Sequence, residues 1–461
     1  MTHVAPEARA ASPLPAPAPA GGHPPGLAVL ALTETWERFS FYGMQALLLL
    51  YLATELLPAR QDARVLGLAT LRRAIGAVAG PLPDAALAAQ IFGLYAGLVY
   101  LTPLAGGAIG DRWLGRRATV TLGALLMAAG HMLLIAPAGV LIGLGLLILG
   151  SGCLKGNIAT QLGALYPAAD PRRERAFLLF NLGINAGAFA GPLLCGAIAA
   201  AAGSHAGFGA AGVAMLIGLA VYRLGGRALP PDAPRRPAPA RRPPIGAAGD
   251  GRRIAGLIAL MALALLYNIP FGQGYAMLPL WVAEAVDRRV GGHDVPIAWY
   301  LASDGLVTMA ATPLVLALVK AQAARGRAPG AAARIATGCA LLAAADLLLT
   351  ALAAASGGAH RLGAFWPFGY FLLASTGYLF VMPVLLAEVS RAAPARATAT
   401  LMGLAYAGLF VANLAAGWLA RFYAPLGPAR FWALQAGLAA AGALIGGAMA
   451  LARRYRPRRP G

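Results

Sequence analysis

An all-α membrane protein of twelve transmembrane helices, arranged as six plus six, is what this sequence predicts, and three observations carry the prediction. The 461 residues are 59% hydrophobic and only 12% charged, against about a quarter charged in soluble domains. Apolar stretches long enough for a hydrocarbon core of about 30 Å recur along the chain. Midway, the stretch from Arg227 to Arg253 is so rich in Pro and Arg that it cannot span, and it parts the apolar stretches into two equal sets.

In order, the expected spans are 27–54, 85–108, 117–136, 138–166, 176–201, 207–224, 254–283, 296–319, 333–356, 363–389, 397–421 and 430–452. Five regions follow: a disordered N-terminal tail over 1–26, a six-helix bundle over 27–224, a basic cytoplasmic linker over 225–253, a second six-helix bundle over 254–452, and a basic C-terminal tail over 453–461. Residues 1–26 are rich in Ala and Pro and lack a basic segment leading directly into an apolar core, so they read as a tail and not as a signal peptide. Between the first two spans, Arg64, Arg72 and Arg73 fall in a stretch, 63–79, that reads as a short amphipathic helix at the outer surface.

The net charge of +20 lies almost wholly between the apolar stretches. Most Lys and Arg residues collect on one side if both termini share it, which places the termini in the cytoplasm. No basic stripe interleaves with aromatics, which argues against a nucleic-acid partner. Cys153, Cys195 and Cys339 fall within spans and read as packing residues. Neither metal-ligand spacing nor a nucleophile elbow nor a phosphate loop appears, so no metal, no cofactor and no enzyme activity is expected. The expected partners are the lipid bilayer and a small-molecule or short-peptide substrate, with a monomer in a bacterial inner membrane as the default.

The first span carries Glu34-Thr-Trp-Glu37-Arg38-Phe-Ser-Phe-Tyr42-Gly43. Each charge near a bilayer centre costs about 2.5–3.5 kcal/mol even on a lenient scale. Glu34 and Arg38 stand at i, i+4 and Glu37 is adjacent, so the charges can pair on one helix face. The cluster therefore reads as a polar site facing a water-filled cavity. After the second span, Gly110-Asp111-Arg112 sits in a glycine-rich turn where Asp111 can pair with an Arg as a latch between helices. In the fourth span Lys155 stands in apolar surroundings, and Lys320 is the only other lysine. A desolvated lysine exchanges a proton or pairs with a carboxylate. Asn185 offers an amide to a substrate or to a neighbouring helix.

Together, Glu34-x-x-Glu37-Arg38-Phe-x-x-Tyr42-Gly43, Gly-Asp111-Arg112, Leu154-Lys155-x-Asn157 and Gly183-Ile-Asn185-x-Gly-Ala-Phe resemble the proton-dependent oligopeptide transporter (POT/PTR) family of the major facilitator superfamily. The likeness continues at Ala395-Arg396, Leu401-Met402-Gly403, Asn413 and Gly417-Trp418. The resemblance implies the major facilitator fold and symport of di- and tripeptides with protons by alternating access, the proton being the coupling ion. It implies proton coupling at Glu34, Glu37, Arg38 and Lys155, and substrate contacts at Arg38, Tyr42, Tyr95, Lys155 and Asn185; Asp304 and Tyr378, where the chain departs from the family, are further candidates for substrate contact.

The second half departs from the family pattern. Relatives carry a glutamate where this chain has Gly272, and another, which receives the peptide amine, where it has Tyr378; a usual arginine is Gln45. Asp304 stands in the eighth span where relatives carry asparagine. It is the candidate to replace the lost charge, with a structural aspartate bonded to backbone or to Gln273 as the competing reading. Loss of the amine partner also fits a divergent member carrying a different small solute, an anion or a peptide-like metabolite. A non-transporting sensor is the remote alternative. Tyr267, Tyr275, Trp281, Trp299 and Trp366 are aromatic candidates for the pocket wall, and Asp346 has no assigned role.

Overall fold

The computed structural model describes residues 22–59, 64–167, 170–231, 250–356, 361–394 and 397–454. The tail up to residue 21, linker residues 232–249, the tail from 455, Arg60 and Ala395–Arg396 lie outside the described residues.

The first bundle begins with α1 (Pro25–Leu50), which continues through a wider π-helical turn at Tyr51–Leu56. A short helix, α2 (Leu68–Ala79), lies before the second span and places Leu71 and Ile75 on the core while Val78 is exposed. The second span is α3 (Asp84–Leu101) with α4 (Pro103–Ile109), broken at Thr102 before Pro103, whose ring cannot continue the ladder. Then come α5 (Arg116–Leu133), α6 (Val140–Ala164), α7 (Arg172–Ala202) and α8 (Ser204–Leu224). Outside the membrane, Asp170 accepts hydrogen bonds from the Arg172 backbone N–H (2.9 Å) and guanidinium (2.9 Å), which holds its carboxyl below the usual range and opens α7.

The second bundle starts with α9 (Asp250–Ala276) and α10 (Leu278–Ala285), one span interrupted at Met277 before Pro279. It continues with α11 (Ile297–Ala324) and α12 (Ala331–Ser356), then α13 (Trp366–Leu379) and α14 (Met382–Ala392), again one span broken ahead of a proline. Last are α15 (Thr398–Leu419) and α16 (Tyr423–Arg454), the latter bent where Gly427 takes a positive φ of 71° before Pro428. Among the described residues ten helical stretches are long and apolar enough to cross a membrane, the last taking in both α15 and α16; with that stretch divided and the shorter α5 added, the helices form two sets of six. The ladders joining Val286–Asp287 to Leu362–Gly363 and Arg289–Val290 to His293–Asp294 are two residues long and lie in the loops opposite the termini.

Within the first bundle α1 packs along α7 and α8. The closeness of α1 and α7 follows from sequence, because Gly183, Gly187 and Gly191 recur every fourth residue on one face of α7. A Cβ at these positions would strike Thr35, Arg38 and the Phe39 carbonyl of α1. In the second bundle α12 packs chiefly on α16 and α13.

Two seams join the bundles, α3 on α15 and α7 on α11. In the first, Gly93 and Gly97 lie against the backbone of Asn413 and Phe410, and Gly417 against that of Ala89 and Gln90. In the second, Gly196 touches Ala298, Gly305 touches Ala188 and Phe189, and the Trp299 indole N–H donates to the Leu193 carbonyl at 3.0 Å. All buried residues of α11 precede Leu306, whereas Leu314, Leu316 and Leu318 are exposed, as are Leu178, Leu179 and Leu182 on α7. The bundles thus meet at the end away from the termini and part toward the end that carries them. At that end a cleft of about 570 Å³ lies against α7, lined by Asp170, Arg173, Glu174, Phe177, Leu178 and Asn181 of α7 and its lead-in.

Candidate functional site

The charged cluster on α1 sits where the glycine face of α7 brings that helix closest. Arg38 Nε lies 3.0 Å from Glu34 Oε1 and 2.5 Å from Glu37 Oε2. All three side chains are buried, Glu37 completely. One guanidinium between two carboxylates leaves a net negative charge inside the protein, and further oxygens, Glu34 Oε2 and Glu37 Oε1, have no hydrogen-bond partner. Breaking such a pair by removing one member costs about 3–5 kcal/mol, because the remaining charge is stranded. The second cation of the neighbourhood is Lys155, which interacts with both carboxylates without pairing directly with either.

Phe41, one turn beyond Arg38, links this cluster to α6. The Arg38 guanidinium carbon lies 5.5 Å from the Phe41 ring centroid and the Lys155 ammonium 4.4 Å, with Tyr100 5.6 Å from the same ammonium. Two cations therefore flank one aromatic face, each attracted by the ring quadrupole. Lys155 has no ion pair within 4.0 Å among the described residues. Tyr95 is buried and stacks on Phe41 at 6.4 Å, while Tyr42 packs edge-on to Phe41 at 5.1 Å. Phe41 and Tyr100 were not singled out in the sequence, although Phe41 falls at i+3 from Arg38.

The opposing wall comes from the second bundle. Asp304 of α11 accepts hydrogen bonds on both oxygens, from the Tyr275 hydroxyl of α9 and from the Ser375 hydroxyl of α13 at 2.5 Å. This replaces both partners considered from the sequence, since Gln273 donates instead to the Ala416 carbonyl at 2.9 Å. Asp304 lies within electrostatic reach of Tyr42 and Tyr100 of the first bundle. Tyr378 stacks on Phe271 at 5.8 Å, and Phe271 on Tyr267 at 5.4 Å, forming an aromatic column beside Asp304. Gly272 abuts Ala416 of α15, where an added Cβ would come to 3.0 Å.

The remaining candidates fall elsewhere. Asn185 donates its amide to the Asn181 carbonyl of its own helix at 2.9 Å. Asp111 is exposed and pairs with Arg116 at 2.9 Å, and Arg112 is exposed beside it. The polar link at that end comes instead from Asn157, whose amide donates to Gly106 of α4 at 3.0 Å. Tyr267 and Trp281 are fully buried within the second bundle, and Trp366 is exposed. Glu388 is held by Arg391 through two contacts of 2.9 Å.

A family model described as POT family matches residues 117–239 and 248–428, well over half the chain. The chain belongs to the POT family. This POT-family member is a multi-pass integral membrane transporter, and its fold is the one the sequence predicts. It is 28% identical over 469 residues to the peptide transporter YePEPT of Yersinia enterocolitica subsp. palearctica, covering 86% of this chain and 87% of the relative. A di-/tripeptide transporter of Lactococcus lactis subsp. cremoris is 39% identical over 207 residues, 44% of this chain and 38% of that protein. Among solved structures, a peptide transporter POT in complex with sulfate superposes with a TM-score of 0.82 at 25% identity, over 94% of this chain and 96% of that one. A mutant form of a peptide transporter POT in complex with alafosfalin gives 0.82 at 26% over the same shares.

Proposed function

We propose that this POT-family transporter is a proton-coupled symporter that takes up di- and tripeptides, or peptide-like solutes, by alternating access. The observation that carries this reading is the opposition of the two walls. Arg38 and Lys155 flank Phe41 on one side, and Asp304, oriented by Tyr275 and Ser375, stands on the other. A zwitterion with its carboxylate toward the cations and its amine toward Asp304 satisfies both walls, and charge-assisted hydrogen bonds at each end give it affinity. The names of the relatives support the same substrate class.

In this reading Glu34 and Glu37 compete with the substrate carboxylate for Arg38. A proton taken up by one of them releases the guanidinium to the substrate, and return of the proton reclaims it, so substrate and proton move together. Closure brings the parted ends of α7 and α11 together while their far ends open. Tyr42, Tyr95, Asn185 and Tyr378 contribute the uncharged surface of the passage, and Asp111 with Arg112 belongs to the switch at the open end. The chain functions as a monomer in a bacterial inner membrane with both termini cytoplasmic.

A second reading, transport of a small anion held by the cationic wall alone, is favoured by one observation: both oxygens of Asp304 already accept hydrogen bonds. Uptake into proteoliposomes under an inward proton gradient separates the two, with dialanine and N-acetyl-dialanine as substrates. Uptake of dialanine but not the acetylated form supports an amine site at Asp304. Equal uptake of both leaves only the carboxylate end read, and uptake of neither by folded protein removes the peptide assignment.

A further inference from the structure

Deep in the second bundle, away from the passage, is a group of polar side chains that the transport reading does not use. Asp346 of α12 is completely buried, and neither of its carboxyl oxygens has a hydrogen-bond partner. The helix packed most extensively on α12 is α16, and their register is fixed by Cys339 against Gly442 and Ala336 against Gly446. Carried along this antiparallel pair, the register sets Asp346 level with Gln435. Gln435 is itself completely buried, with both ends of its amide unpartnered. From α13, Tyr370 contributes a buried hydroxyl, also without a partner, that lies within electrostatic reach of Asp346. No two of these three groups are hydrogen-bonded to one another, and no Lys, Arg or His pairs with the carboxyl among the described residues.

An ionised carboxylate with neither counter-charge nor hydrogen bond, inside a membrane bundle, is among the most costly groups a protein can carry. The same side chain as a neutral acid carries an O–H donor, which Gln435 and Tyr370 are chemically able to accept. Tyr370 also reaches the other way. Its hydroxyl occupies the space a Cβ would take at Gly274 of α9, 3.0 Å from that position, and the next residue, Tyr275, donates to Asp304. Tyr370 is within electrostatic reach of Asp304 as well. Tyr370 is therefore the side chain common to both carboxyls, hydrogen-bonded to neither.

We propose that Asp346 is a proton-binding site in the second bundle, holding its proton as a neutral carboxylic acid, and that Tyr370 connects it to Asp304. The ligand is the proton, and the site is distinct from the Glu34–Arg38–Glu37 cluster of the first bundle. Gln435, level with it on α16, and Tyr370 on α13 are both uncharged. The inference rests on no assumption about which solute is transported.

The test is infrared spectroscopy on the full chain in lipid nanodiscs at neutral pH. A carbonyl band of a protonated aspartate carboxyl, set apart from the glutamates by its move on carbon-13 labelling of aspartate, is expected in the native protein, absent in Asp346→Asn and retained in Asp304→Asn. On transfer to heavy water that band shifts, and the shift is several-fold slower in Tyr370→Phe. Where Asp346→Asn fails to fold, carbon-13 labelling of aspartate carboxyls in the Asp304→Asn background reports the same band, which then has to move with the label. A band of equal strength in native and Asp346→Asn protein, or an unlabelled response in the second experiment, overturns the proton site. Exchange unaffected by Tyr370→Phe overturns the connection to Asp304.

Discussion

The two walls of the passage solve the problem of a charge in a membrane in opposite ways. On the first wall, Glu34, Glu37 and Arg38 come from a single turn of α1 and compensate one another as ions. On the second, Asp304 is a lone carboxylate whose oxygens are satisfied by neutral hydroxyls from two other helices. A network of ions within one helix keeps its geometry whatever the neighbouring helices do, so it suits a switch that must survive rocking of the bundles. A carboxylate held by hydroxyls from α9 and α13 depends on how those helices are packed, and it registers their rearrangement.

The largest effect is expected from Arg38→Gln, which breaks the first wall by stranding two carboxylates. A loss of about 3–5 kcal/mol in stability and no measurable uptake should follow, read by thermal unfolding in detergent and by proteoliposome flux. A variant that stays as stable as the parent would mean the carboxylates are not ion-paired as described. Asp304→Asn comes next and tests the second wall alone. Dialanine uptake should fall by about tenfold or more, a buried charged partner being worth about 2–5 kcal/mol, while N-acetyl-dialanine is unaffected. Equal losses for both peptides would assign Asp304 to structure.

Tyr275→Phe and Ser375→Ala sharpen the contrast by removing one hydroxyl at a time. A hydrogen bond to a charged group is worth about 1.5–3 kcal/mol, so the KM for dialanine should rise several-fold or more in each, with the acetylated peptide again as control. The smallest change is expected for Phe41→Leu, where a cation–π contact worth about 0.5–2 kcal/mol is lost at each of two cations. Because this acts at the carboxylate end, free and acetylated dialanine should weaken in parallel. A selective loss of the free peptide would contradict the assignment of ends to walls.

The same contrast explains what could be read from the chain alone. The span count and the α1 ion pair follow from period and spacing, since i, i+4 partners need no tertiary information. The breaks at Thr102 and Met277 follow from the prolines just after them. The partners of Asp304 were illegible, because Tyr275 and Ser375 are 29 and 71 residues away and nothing local marks them. The partner of Asn185 was open for a related reason: an amide in a helix can satisfy itself on the carbonyl four residues back, and here it donates to Asn181. Asp346 carried no signal beyond its cost, and the register of α12 on α16 was needed to give it neighbours.

The seam between α3 and α15 has a consequence for turnover. Gly93 and Gly417 let backbone lie on backbone there, and Gly97 makes room for the ring and backbone of Phe410. Such a contact behaves as a plain bearing: one half can roll on the other without first disengaging teeth. The friction of the transport cycle then sits in the other seam, where the Trp299 indole of α11 grips the Leu193 carbonyl of α7, and a single methyl at Gly93 would act as grit in the joint.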